Sequence, residues 1–268
     1  MKAISFDSRI CRDLDQALKK EWRETNGCGL VASSTVTCTN TSRTHGFLAV
    51  SRLLFKNLDE TLFIDDVPYP LSTRIYEHTT FPEGYRHLSE FHLLPFPSWL
   101  FKIGDVVLMK SIFMVHGEES VFIRYQLLGG NEVLTRLEVK PLIAERSPHS
   151  LFHRRADFKP VLHAKPGPMG LSCDGKNPDL FFYHNAAIVE KTGVWYERVH
   201  YPADCLKGLD FEEDLYVPFA LNYAFLRGLE VFLCVSTRQK KEFHPELVIS
   251  AEEERRRKLA PQATLYPL

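Results

Sequence analysis

The sequence predicts an all-β protein, a large antiparallel β-sandwich with one or two short peripheral helices. Three observations carry this. Short segments rich in Val, Ile, Phe and Tyr alternate with turn signals through most of the chain. Two stretches show period-two alternation of apolar and polar residues, the pattern of strands with one covered face. No strand–helix–strand repeat interrupts them, which argues against a parallel α/β sheet.

In chain order, a short amphipathic helix is expected from about Arg12, with Leu14, Ala17 and Leu18 on one face. After Glu21 the character turns to β. DETLFIDDVPYPL reads as a strand and turn, because Pro68 and Pro70 would break a helix. The run FKIGDVVLMKSIFMVHGEESVFIRYQLLGGNEVLTRLEVKPL reads as three successive strands, with turns at Gly104-Asp105, Gly117-Glu118 and Gly129-Gly130-Asn131. Within it Val133, Thr135, Leu137 and Val139 point one way, and Leu134, Arg136, Glu138 and Lys140 the other. GLEVFLCVST repeats the pattern, with Leu229, Val231, Leu233 and Val235 on one side. A second helix is expected over Ala251–Leu259, where acids precede bases as the helix dipole prefers. The expected organisation is a sandwich over residues 1–250 and a helical and linker tail over 251–268.

Composition narrows function by exclusion. The 268 residues are 44% hydrophobic and 25% charged, enough to bury a large core. Thirty-three basic and 34 acidic residues nearly cancel, which argues against nucleic acid or an anionic membrane as partner. The N-terminus lacks the apolar core of a signal peptide, and no apolar run approaches the roughly 18 residues of a membrane span. The six cysteines form no CxxC pair, so reduced thiols in a cytoplasmic protein are expected.

Motif searches give little chemistry. NGCGLVAS lacks the third glycine of a dinucleotide fingerprint, and neither a P-loop nor HExxH occurs. His78, His87 and His92 have no standard zinc spacing, so no metal and no cofactor are expected. His45, His116 and His149 read as structural hydrogen-bonding groups. Ser33 and Ser34 lack the strand-to-helix elbow of a Ser-His-Asp hydrolase. A glycosidase pair could be drawn from Glu83, Glu90, Asp105, Glu118 or Asp214, but sequence does not place any two together. Read alone, the residues give a β-sandwich without an evident active site.

Longer phrases add a resemblance. EWRETNGCGLVASSTVTCTNTSRTHGFLAV resembles the opening of the N-terminal domain of prokaryotic-type glycogen debranching enzymes, which reads EW, TNG, GYAS and NTRRYHGLL. FPEGYRHLSEFHLLPFPSWLFKIGDVVLMKSIFMVHGEESVFIRYQL is similar to that family's PEGY, FxxxPFPxW and MxHGENT phrases, and VKPLIAERSPHSL, WYERVHYPADCLKGLDFEEDLYVPF and EEERRRKL continue it. The resemblance implies a β-supersandwich that precedes an (α/α)6 barrel with amylo-α-1,6-glucosidase activity in glycogen catabolism. It implies that this chain alone is non-catalytic, supports α-glucan binding and docks to such a barrel. Leu30 and Val31 stand where the family has Gly-Tyr or Gly-Phe, and Ser42 and Thr44 replace an Arg and a Tyr. Asn26, Gly27, Asn40, Arg43, His45 and Gly46 match.

Sugar recognition uses flat rings against C–H faces and planar Arg or Asn groups against hydroxyls. Trp22, Asn26, Asn40, Arg43 and His45 are therefore the first binding or domain-interface candidates, with Tyr85 and Trp99 next. Large aromatics are mostly buried, so Trp22 and Trp99 read equally as core residues and Arg43 as the partner of an acid. Two other classes stay open. One is a small sugar-acting enzyme of mutarotase type, using His116 with Glu118 or His45 with Glu21 as acid and base. The other is a structural domain that has lost sugar binding.

Overall fold

In the computed structural model, which describes residues 4–49, 52–130, 134–163, 168–225 and 230–259, two large antiparallel sheets face each other. The nine-stranded sheet runs, in spatial order, Ser5–Phe6, Leu88–His92, Ser98–Ile103, Val106–Met114, Ser120–Gly129, Val231–Ser236, Leu180–His184, Met169–Ser172 and Val161–His163. The six-stranded sheet runs Ile188–His200, Glu212–Ala224, Thr135–Arg146, Leu53–Ile64 and Leu48–Ala49, with Val67–Pro70 added to Leu53–Ile64 as a hairpin. Two small hairpins, Glu21–Thr25 with Val31–Thr35 and Thr73–Ile75 with Thr80–Glu83, complete the strands. The large β-sandwich expected from sequence is the fold.

Alternation explains which residues fill the space between the sheets. Ile112, Ile123, Leu233 and Val235 from one sheet join Leu62, Leu137, Val139 and Leu221 from the other in one buried core. From Thr135 to Lys140, Thr135, Leu137 and Val139 are buried while Arg136, Glu138 and Lys140 are half-buried, as the pattern predicts; Pro141 to Ala144 are then buried without alternation. Asn131, Val133, Leu229 and residues 260–268 lie outside the described residues.

Four features differ from expectation. The long run from Phe101 forms four strands rather than three, separated by its three turns, and divides between sheets: the first three are neighbours in the nine-stranded sheet, and Thr135–Arg146 pairs in the six-stranded one. The N-terminal helix is two single turns, Ser8–Cys11 and Leu14–Ala17, because Asp13 caps a new helix by accepting from Gln16 N–H at 3.1 Å. With Pro202–Cys205 and Pro245–Leu259 the described residues hold four helices, not one or two. The last of these begins before Ala251 and lies on the sandwich, through the ion pair of Arg256 with Glu24 and that of Arg124 with Glu253 at 3.2 Å.

That helix changes the outer face of the nine-stranded sheet. Phe113, Phe122 and Cys234 point away from the inter-sheet core, yet all are fully buried. Val248 and Ile249 of the helix pack over them. The sheet is therefore covered on both faces here, where alternation alone suggested one.

Candidate functional site

The turn between Glu21–Thr25 and Val31–Thr35 is closed by Asn26. Its Oδ1 accepts the N–H of Cys28 at 2.8 Å and of Leu30 at 3.0 Å. Its Nδ2 donates to the carbonyl of Glu118 at 2.9 Å, and Gly117 N–H donates to the Asn26 carbonyl at 2.8 Å. The TNG and HGE phrases, far apart in sequence, thus meet as two interlocked turns. Beside them opens a pocket of about 610 Å³, lined by Asn26, Leu30, Glu118, Glu119, Arg238 and Lys240 among others.

The pocket's polar groups come in donor–acceptor pairs. Lys240 Nζ donates to Glu118, and Arg238 Nη2 donates to Glu119 at 3.1 Å. Ser120 and Ser236 hydroxyls join the two strands beneath at 3.0 Å. Hydrogen bonds from Thr237 and then Arg238 hold the Glu119 carboxyl below its ordinary value. A glycosidase general acid needs the opposite, a carboxyl kept protonated by an apolar surround. Paired carboxylates and cations on a concave surface suit hydrogen bonding to vicinal hydroxyls, which offer a donor and an acceptor at each oxygen.

Gly27 makes the interlock possible. Its φ of +76° is left-handed, and a Cβ there would stand 2.3 Å from His116 Cε1. Gly27→Ala is expected to destabilise the domain by about 1–3 kcal/mol through strain and overlap. Adding His116→Ala should restore the part due to overlap. Urea unfolding of the single and double variants checks this; no recovery in the double variant would contradict the contact.

The other predicted residues lie elsewhere. Trp22 and Trp99 are core: they are 1% and 0% exposed, meet edge to face at 5.4 Å, and donate to the carbonyls of Thr35 and Val36. Neither ring offers a face to a ligand. Tyr85 is half-buried on the 3-10 turn Gly84–His87 and bonds Glu83. Asn40 accepts from Ser34 Oγ at 2.9 Å inside the domain. Of the seven predicted residues, Asn26 is the one that lines the pocket. His116 is exposed and packs on Gly27. Among the described residues no group of three His, Cys, Asp or Glu is placed to hold a metal; His78 and His92 instead approach Glu77 and Glu90.

Arg43 and His45 belong to a buried clamp on the NTSRTHG loop. Asp204 accepts from Arg43 N–H at 2.7 Å, Arg43 Nε at 3.2 Å and Ser42 Oγ at 2.9 Å. The Arg43 carbonyl accepts from Lys56 Nζ at 3.0 Å and Arg146 Nη2 at 2.8 Å. Both cations converge on Glu213, which is 0% exposed. Burial alone would raise the Glu213 carboxyl, but Lys56 and Arg146 outweigh it and hold it low. Burial pulls the Lys56 ammonium down to about 7. Sequence reading named none of Lys56, Arg146, Asp204 and Glu213. The available signal was Lys56 amid the apolar strand LLFKNL.

His45 is held as a neutral ring. Thr41 N–H donates to Nδ1 at 3.2 Å, so the proton sits on Nε2, which lies 3.2 Å from Glu21 Oε1. Burial lowers its pKa below the usual 6.5. The folded state then binds this proton less readily than the unfolded chain. The contribution is full above pH 6.5 and is lost as pH falls through the lower folded value. The stability advantage of the wild type over His45→Gln should accordingly shrink between about pH 7 and 5. A difference that stays constant across that range would contradict a buried, neutral His45.

All six cysteines are free, and burial pushes Cys11, Cys38, Cys173 and Cys234 up to about 12. No described helix is long and apolar enough to cross a membrane.

Residues 20–232 match the family described as glycogen debranching enzyme N terminal. The chain belongs to this family. Both interlocked turns of the debranching-enzyme N-terminal domain fall within the match, whereas Arg238 and Lys240 follow its last residue. Comparison with solved structures gives a bacterial glucoamylase complexed with acarbose, at 9% identity and a TM-score of 0.38. The match covers 91% of this chain and 34% of that one, so the domain spans about a third of that protein's length. No curated protein matches the chain.

Proposed function

We propose that this debranching-enzyme N-terminal domain binds α-glucan in the pocket formed where the TNG and HGE turns interlock. One observation carries the reading: two phrases shared with the family come together to build the wall of a polar, concave surface. The paired Glu118–Lys240 and Glu119–Arg238 groups supply donors and acceptors for glucose hydroxyls. Leu30, standing where the family has a glycine beside an aromatic residue, lines the same pocket as an aliphatic wall. The domain itself is non-catalytic and supports an (α/α)6 barrel, in the same chain or another, in cytoplasmic glycogen catabolism. Six free thiols fit a reducing compartment. Ile188, Val189 and Val194 on the outer strand of the six-stranded sheet are 57%, 41% and 48% exposed, and are the surface proposed to meet the barrel.

Titration calorimetry with maltotriose tests the binding site. Glu118→Ala with Arg238→Ala removes exposed side chains, so folding should persist while affinity falls by about tenfold or more. Unchanged affinity in the double variant, or no binding by the wild type, would overturn the assignment. The second of these outcomes would favour a structural domain without sugar binding.

A further inference from the structure

A second cavity, of about 400 Å³, adjoins the first on the nine-stranded sheet and shares Lys240 with it. Its lining differs in kind: Tyr183, His184, Phe232, Phe243 and Lys241. These rings continue a stack across the outer face. Phe113 lies on Phe122 at 5.0 Å and 9°, and Phe122 on Phe232 at 5.7 Å and 22°. Phe243, from the segment before the C-terminal helix, meets Tyr183 at 4.6 Å and Phe232 at 5.9 Å. Phe113 and Phe122 are fully buried, but Phe232 and Phe243 keep part of their surface open.

Lys240 sits at the junction. Its ammonium bonds Glu118 on the polar side and lies 5.9 Å from the Phe243 ring on the aromatic side, while its N–H donates to Tyr183 Oη at 2.5 Å. One side therefore offers paired hydrogen-bonding groups, and the other offers ring faces beside two lysines. That division matches the two surfaces of a glucose unit, whose hydroxyl rim is polar and whose C–H face is apolar.

We propose that the two cavities form one continuous groove for a linear α-1,4-glucan, in which the Phe232–Phe243 cleft holds glucose units beyond those in the polar pocket. This rests on the polar pocket being a glucan site, and it adds a prediction that reading does not make. Affinity should depend on chain length, and the dependence should reside in Phe243. The rigid stack beneath Phe232 means that a sugar meets a preformed platform and orders little on binding. Phe232 is the last residue of the family match, and Arg238, Lys240, Lys241 and Phe243 follow it.

Calorimetry with maltotriose and maltoheptaose on the wild type, Phe243→Ala and Phe243→Leu tests the proposal. The wild type should bind maltoheptaose about tenfold more tightly than maltotriose. Both variants should lose that gain and keep maltotriose affinity within about twofold. Leucine retains most of the apolar volume, so a matched loss in both variants reports on the ring face rather than on packing. Wild-type binding of maltotriose with no gain for the longer chain would overturn the groove and leave the polar pocket standing. A gain that survives in both variants would place the extra units elsewhere. No binding of either sugar would overturn both readings together.

Discussion

Replacing Glu213 with alanine is expected to destabilise the domain by about 3–5 kcal/mol, because it strands the buried Arg146 cation and leaves the Lys56 amine and Tyr201 hydroxyl without their carboxylate acceptor. Arg146 Nη2 reaches Glu213 at 3.2 Å and Lys56 Nζ at 3.6 Å, and Arg146 and Lys56 are 6% and 0% exposed. Tyr201 Oη and the Phe152 N–H also donate to the same carboxylate. Lys56→Met should cost only about 1–2 kcal/mol, since Glu213 keeps Arg146 and Tyr201, and the Arg43 carbonyl keeps Arg146. The carboxyl titrates below its ordinary 4.5 in the folded state. Its contribution is thus present above pH 4.5 and lost as pH falls through the folded value. Urea unfolding at neutral pH measures both variants. A Glu213→Ala cost no larger than that of Lys56→Met would contradict the clamp.

Trp99→Ala should cost about 3–5 kcal/mol, the range for truncating a large buried aromatic. The ring is 0% exposed, packs against Trp22 at 5.4 Å and Phe91 at 5.3 Å, and donates to the Val36 carbonyl at 2.5 Å. Lys110 lies 5.4 Å from its face and pairs with Glu60 at 2.8 Å, so the loss also removes a wall from a buried ion pair. Trp99→Phe keeps the wall and loses the hydrogen bond, and should cost about 1–2 kcal/mol. Thermal unfolding distinguishes this from a ligand-binding role. A stable Trp99→Ala protein with weakened maltotriose binding would show that the ring serves sugar instead.

The fold was legible because strand alternation is a local signal. Leu137 and Val139, or Val231 and Leu233, announce their inward face within a few residues. The second covered face was not legible, since Phe122 and Cys234 are buried by a helix that arrives from later in the chain. The site divided in the same way. Asn26 stood out because it stands in the TNG phrase shared with the family, and the structure shows its side chain closing the turn before the left-handed Gly27. Arg43 and His45 read both as a polar binding patch and as structural groups, because nothing near them in sequence identifies Asp204, Glu213 or Arg146 as the partners. Those partners lie more than a hundred residues away. Arg238 and Lys240 were missed for the converse reason. A basic run after a strand reads as a solvated turn until Glu118 and Glu119 are brought opposite it.

The central claim is that α-glucan binds where the TNG and HGE turns meet, and that the NTSRTHG loop is held for structure. A crystal of the domain soaked with maltoheptaose tests it most directly. Ordered glucose units should appear against Glu118, Glu119 and Arg238 and continue past Lys240 toward Phe243. Sugar ordered over Tyr85 or along Asn40–His45, with this pocket empty, would contradict the account.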